Sequence, residues 1–172
     1  MRDRKLNRLR GFDYSATGAY FVTICVHGRE CAFGSVIDGV MQVTQWGKIA
    51  ENCWHDLPNH YLNGRLDAFV VMPNHVHGIV WIGEFIDGND SAENGLKPFL
   101  TKSAPKRHGL PEIIRGFKTF SSRRINEIST NARFQWQKSY HDRIIRNDEE
   151  LNKIRLYIID NPGNWQDDEE NI

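Results

Sequence analysis

The run VVMPNHVHGIVWIG, residues 70–83, places His75 and His77 one residue apart inside an apolar, β-branched stretch. Side chains alternate faces along a strand, so both imidazoles share one face and Val76 takes the other. Two rings on one face can meet a single ion as adjacent ligands. Surface or hydrogen-bonded histidines satisfy the same spacing, and spacing by itself leaves both readings open. Zinc would need a further protein ligand and supporting hydrogen bonds behind it. Mg²⁺ or Mn²⁺ would expect oxygen ligands, some of which a substrate phosphate can supply.

A second reactive group lies far downstream, in KIRLYIIDNP, residues 153–162. Leu151, Ile154 and Ile158 recur at helical spacing and form an apolar stripe, with Tyr157 at its edge. Asn161 falls one turn after Tyr157 and Lys153 one turn before it, so the three share a side of the helix. A phenol, a carboxamide oxygen and an ammonium in one row suit a nucleophile, a ligand and a phosphate contact. A half-buried tyrosine and an ordinary asparagine before Pro162 would look the same.

Elements that position these groups are readable around them. GAYFVTICVHG, residues 18–28, reads as a central strand, and VIDGVMQV as a hairpin turning on Asp38-Gly39. TQWGKIAENCWHDL is an amphipathic helix capped by Thr44 and stopped by Pro58. Strands follow at 66–72 and 75–82. A helix over 111–128 opens with proline and buries Ile113, Ile114, Phe117, Phe120, Ile125 and Ile128. Residues 134–146 alternate as a strand, and 148–161 form a helix with Asn147 and Glu150 as its capping box. The order predicts an α+β fold on the ferredoxin-like β-α-β-β-α-β plan: an antiparallel sheet with helices on one face, plus a hairpin and a C-terminal helix.

At 172 residues one domain over 1–172 is expected, with a basic arm at 1–17, a variable, mobile loop at 84–109 and an acidic tail at 166–172. Cys25, Cys31 and Cys53 have no paired-cysteine spacing, no apolar run is long enough for a membrane span, and no signal-peptide core follows the first residues. These features predict a cytoplasmic protein. The formal net charge is zero, yet basic residues dominate 2–10 and 97–146 while acids gather after Asn147. That asymmetry points to a phosphate-rich partner, with solvated surface as the plainer explanation. No Walker-type Gly-Lys-Ser/Thr loop is present, which argues against nucleotide-driven chemistry.

MPNHVH followed by WQKSYHDRIIRNDEEL and YIIDNP resembles the REP-associated tyrosine transposases, a group of single-tyrosine HUH transposases. GAYFVTICVHGRECAFG and FKTFSSRRIN also match that group's pattern, and the resemblance runs from Ala19 to Trp165. It implies that His75 and His77 hold Mg²⁺ or Mn²⁺, that Asn161 completes the metal site and that Tyr157 is the nucleophile. It further implies cleavage and rejoining of single-stranded or hairpin DNA at repetitive extragenic palindromes through a 5′-phosphotyrosine, by a monomer or a homodimer. Tyr140 is the rival tyrosine, read as packing or DNA contact. Arg115, Lys118, Arg123, Arg124 and Lys153 are the expected phosphate contacts. A silent DNA-binding regulator and a replication-initiator-type nickase are the competing readings.

Overall fold

The computed structural model of the chain describes residues 11–83, 107–130 and 132–171. Residues 1–10 of the arm expected at 1–17 and residues 84–106 of the 84–109 loop lie outside the described residues. In chain order the elements are β1 (Gly18–Cys25), β2 (Gly34–Ile37), β3 (Val40–Val43), α1 (Gln45–His55), α2 (Leu57–His60), β4 (Gly64–Val71), β5 (His75–Ile82), α3 (Leu110–Ile128), β6 (His141–Ile145) and α4 (Asp148–Asp160). A 3₁₀ segment, Asn161–Asp167, follows α4.

Strands β4, β5, β1 and β6 form one antiparallel sheet in that spatial order, so each α-helical crossover skips over a strand before the chain returns. This is the ferredoxin-like arrangement expected from the element order. β1 and β5 are central and buried almost throughout, and Thr23 lies opposite His77 while Cys25 lies opposite His75. β2 and β3 make a separate hairpin, turning on Asp38 and Gly39 at φ 51° and 74°, as the Asp-Gly pair predicts.

One face of the sheet carries α1 and α3 over Tyr20, Val22, Ile24, Val76 and Val80. The other carries α4, whose Leu151, Ile154 and Ile158 pack with Ala19, Ile79 and Ile145. Thr44 caps α1 through Gly47 N–H at 3.3 Å, and Asn147 caps α4 through Glu150 N–H at 2.8 Å. Pro58, instead of stopping α1, sits in the first turn of α2.

Three expectations are revised. The strand expected over 134–146 shrinks to β6, because 134–140 crosses from the α3 face with one isolated bridge, Val26 to Trp136. Phe120 and Ile128 of α3 are 37% and 42% exposed, Phe120 lying against the His60 ring at the surface instead of in the core. Residues 12–14 are no free arm: Tyr14 is buried beside Phe12 and Tyr20, and its carbonyl accepts from Leu110 N–H at 2.9 Å.

Gly78, directly after His77, shows how tightly β5 is gripped. A Cβ there would stand 2.3 Å from Trp54 Cζ2, and Trp54 is itself stacked on Phe69 with ring centres 4.8 Å apart and held edge-on by Phe117. With the indole held on both sides, Gly78→Ala should destabilise the fold by about 1–3 kcal/mol, the usual cost of overpacking. Thermal unfolding should show a midpoint lowered by several degrees; an unchanged midpoint would mean that the indole is free to shift.

Candidate active site

His75 opens β5 immediately after the Pro73–Asn74 bend, which is stapled by Val26 N–H to Asn74 O at 2.8 Å and by Phe33 N–H to Pro73 O at 2.9 Å. The two imidazoles project into the α4 layer, and Val76 is fully buried on the other side, as period two requires. His75 Nε2 and His77 Nε2 stand 2.9 Å apart.

The neighbouring hydrogen bonds determine which nitrogens carry protons. Asn74 Nδ2 donates to the Glu170 carbonyl at 2.7 Å, so Asn74 Oδ1 faces His75 Nδ1 at 2.8 Å and can only accept. His75 Nδ1 therefore holds the proton, and His75 Nε2 presents a bare lone pair. His77 Nδ1 lies 2.9 Å from Thr23 Oγ1, a hydroxyl able to donate or accept. His77 Nε2 can thus carry a proton toward His75 or give it up without losing the Thr23 contact. Burial, with a smaller push from Arg29, lowers the His75 pKa to about 3. Burial and then His75 hold His77 well below the usual histidine range, against a small opposing pull from Asp168. Both rings are neutral at physiological pH, the protonation state in which imidazole binds a cation.

Tyr157 lies on α4 beside the buried stripe, with its hydroxyl 3.3 Å from His77 Nε2 and its ring edge-on to Phe21 at 6.0 Å. It is 47% exposed, so solvent reaches the phenol while the histidines are sealed. Burial and then the charge of Asp168 raise its pKa, and a hydrogen bond from Asn161 partly offsets them. The phenol is therefore protonated in this state. Tyr140, the rival tyrosine, is buried in the core of the α3 face with the Lys118 ammonium over its ring at 5.6 Å. It lies on the wrong side of the sheet to share a site with the histidines.

Asn161 begins the 3₁₀ segment and is 1% exposed; its Nδ2 donates to Asp168 Oδ2 at 2.9 Å. Its Oδ1 is buried with no hydrogen-bond partner among the described residues. An orphaned buried acceptor on a residue hydrogen-bonded to Asp168, which itself lies beside the two imidazoles, fits a cation position.

Asp168 was not among the sequence candidates. Its carboxylate and the two imidazoles each offer a ligand atom, all within 4.8 Å of one another. The tail QDDEENI reads as compensating charge because no helical or strand period links it to the histidines. Yet residues 165–171 fold back over them. Trp165 lies 6.1 Å from the His75 ring, Glu170 N–H donates to Asp168 Oδ1 at 2.6 Å, and the Glu170 carboxylate pairs with Arg29. Two nitrogens with carboxylate and amide oxygens suit a borderline divalent ion such as Mn²⁺ better than Mg²⁺, which prefers oxygen alone.

The expected phosphate contacts are dispersed. Arg115, Lys118, Arg123 and Arg124 belong to α3, across the sheet from His75. Lys118 Nζ donates to the carbonyls of Gln137 and Ser139 at 2.8 Å each, which makes it a staple for the 137–139 turn. Arg124 reaches Asp56 at 3.7 Å, Arg123 pairs with Glu127 at 3.0 Å, and Lys153 pairs with Glu149 at 2.6 Å instead of turning toward Tyr157. Arg115 is largely exposed and lines a groove of about 970 Å³ with Ser122, Arg133, Gln135 and Lys138. Among the described residues no helix is long and apolar enough to cross a membrane.

No protein-family model matches the sequence. An uncharacterised Haemophilus influenzae protein is 34% identical over 169 residues, spanning 96% of this chain and 92% of that one. A REP-associated tyrosine transposase, solved bound to a REP hairpin, superposes with a TM-score of 0.57 at 18% identity, covering 92% of this chain and 74% of that one. A Deinococcus radiodurans structure provisionally described as a transposase reaches a TM-score of 0.49 at 16% identity, over 88% of this chain and 95% of that one, a likeness that carries no argument. The chain thus belongs to one family with the Haemophilus influenzae protein, and it has the fold of a REP-associated tyrosine transposase.

Proposed function

We propose that this protein cleaves and rejoins single-stranded DNA through a covalent tyrosine intermediate, as the motif resemblance implies. The observation that carries the reading is the meeting, within one chain, of the Tyr157 hydroxyl and His77 Nε2 at 3.3 Å, beside His75 Nε2 at 2.9 Å. The residues concerned are brought from opposite halves of the sequence.

In this reading Tyr157 Oη attacks the scissile phosphorus and loses its proton. The bond from phosphorus to the 3′-oxygen breaks, and that oxygen takes up a proton. The products are a 5′-phosphotyrosine and a free 3′-hydroxyl, and attack by a second 3′-hydroxyl reverses the chemistry without nucleotide hydrolysis. A phenol with pKa near 10 is both a workable nucleophile and a tolerable leaving group. His75, His77, Asp168 and Asn161 Oδ1 would hold a divalent cation, Mn²⁺ or Mg²⁺, whose positive charge polarises the phosphate when bound. Asn74 and Thr23 hold the two rings from behind. His75 and His77 are 0% and 2% exposed while Tyr157 is 47% exposed, so Tyr157 is the member of the group that faces solvent. The groove beside α3 suits the phosphates of a DNA hairpin, with Arg115, Arg133 and Lys138 in its lining, while Arg123 and Arg124 lie outside that lining. The fold neighbour bound to a REP hairpin supports hairpin DNA as the substrate class.

A fluorescent single-stranded DNA hairpin incubated with the protein and Mn²⁺ tests the proposal. The expected result is a protein–DNA species that survives denaturing electrophoresis and is lost on protease treatment. Binding without such a species, across hairpins of varied sequence, would favour the regulator reading. Hydrolysis without a protein link would point to a different metal-dependent nuclease.

A further inference from the structure

Asp67 has a place in the fold that strand pairing alone does not explain. Leu66 pairs with Val80 and Phe69 with Gly78, so β4 carries one residue more than β5 between these pairs. That bulge turns both Asp67 and Ala68 toward the α4 layer, where regular alternation would send only one of them. Ala68 packs into the cluster with Ile154 and Ile158, and its N–H donates to Asp67 Oδ1 at 2.7 Å. Trp81 Nε1 donates to Asp67 Oδ2 at 3.1 Å. The remaining partner is Arg155 of α4: Nε donates to Oδ1 at 2.8 Å and Nη2 to Oδ2 at 2.5 Å. Arg155 Nη1 also donates to Asn152 at 3.1 Å, one helical turn back. This is a two-pronged, charge-assisted pair whose acceptor is held by two further donors.

Helical geometry gives the pair a purpose. At 3.6 residues per turn, Arg155 and Tyr157 flank the stripe of Leu151, Ile154 and Ile158 on opposite sides. Arg155 therefore pins the β4 side of α4 while Tyr157 hangs over His77 of β5 and Phe21 of β1. Aliphatic packing along the stripe resists lifting of the helix but resists rolling about its axis poorly. A roll of roughly 10° moves a side-chain tip ~6–8 Å from the axis by about 1 Å. A misplacement of that size can cost up to ~100-fold in rate.

We propose that the Asp67–Arg155 pair is a positioning clamp that sets the roll of α4, and so presents Tyr157 to His75 and His77 of its own chain. The inference rests on the reading of Tyr157 as the nucleophile. Hydrogen bonding to Arg155 holds the Asp67 carboxyl at about 2, so the clamp is charged throughout the neutral range. Its site of action is the helix, and neither residue touches the reacting atoms.

The test compares Asp67→Asn, Arg155→Gln and the double variant. Single-turnover adduct formation at saturating hairpin should slow by about 10- to 100-fold in each single variant, with hairpin affinity unchanged. The double variant should be no slower than the worse single one, the non-additivity expected of one interaction. Independently of catalysis, NMR contacts between the Tyr157 and His77 rings should be lost in both single variants while those across β1 and β5 remain. Wild-type adduct rates together with intact Tyr157–His77 contacts would overturn the clamp. If the wild-type protein forms no adduct, the nuclease reading fails, and the ring contacts alone then decide whether the clamp positions the helix.

Discussion

Tyr157→Phe should abolish the covalent protein–DNA species of the proposed reaction while leaving the protein as stable as before. The substitution deletes one oxygen, the atom that lies 3.3 Å from His77 Nε2. No neighbouring side chain can replace it, because Tyr140 is buried on the opposite face of the sheet. Removal of a nucleophile from a concerted site costs several orders of magnitude, so residual adduct should fall below about 10⁻³ of wild type. Stability should hardly change: the ring is 47% exposed and its edge-on contact with Phe21 survives in phenylalanine. A shift within about ±0.5 kcal/mol is expected, as for most surface substitutions. The measurements are denaturing electrophoresis with labelled hairpin and thermal unfolding of the same preparations. An adduct that persists in Tyr157→Phe would remove this residue from the chemistry.

The second large effect concerns the histidine pair, and it separates binding from cleavage. Mn²⁺ should raise the unfolding midpoint of the wild-type protein, since a ligand bound only to the folded state at 100 times its Kd adds about 2.7 kcal/mol. His75→Ala and His77→Ala should each abolish that rise and the adduct with it. Each also strands buried partners. Without His75 the Asn74 Oδ1 acceptor loses its donor, and without His77 the Thr23 hydroxyl loses its contact. An intrinsic loss of about 1–3 kcal/mol in the absence of Mn²⁺ follows from leaving a buried polar group unpaired. Asp168→Asn removes the charge and one of the two oxygens that accept from Glu170 N–H and Asn161 Nδ2, so it should weaken the Mn²⁺ response with the loss of about one hydrogen bond, roughly 1 kcal/mol, in the absence of the ion. A full Mn²⁺ response in His75→Ala would show that the ion binds elsewhere.

Several features of this site are written locally in the chain. His75, Val76 and His77 had to divide between two faces because a strand has period two. Leu151, Ile154 and Ile158 had to turn inward together because a helix has a period near 3.6. The caps at Thr44 and Asn147, the Asp38-Gly39 turn and the split order of strands and helices follow from the same short-range rules. Within that frame Tyr157 could be singled out as a half-buried phenol on the last helix, one turn from Asn161.

What escaped were the features that depend on which surfaces meet. Asp168 sits in an acid-rich tail with no period, and it becomes a partner of the histidines only because the 3₁₀ segment after Asn161 reverses the chain over β5. Lys118 reads as a phosphate contact on a helix face, yet the 137–139 carbonyls that accept its hydrogen bonds come from a segment with no regular pattern. The bulge that turns Asp67 toward Arg155 is invisible along β4, since an extra residue is defined only against its partner strand. The sequence by itself therefore determined most of the elements, their order and the shared face of the two histidines, all properties of residues within a few positions of one another, while Tyr157 as candidate nucleophile came from the resemblance of several motifs spread along the chain. The tertiary structure alone decided that Tyr157 meets His77 in the same chain, that Asp168 joins them and that an Asp67–Arg155 pair holds the helix in place, because those contacts join segments that local periodicity does not connect.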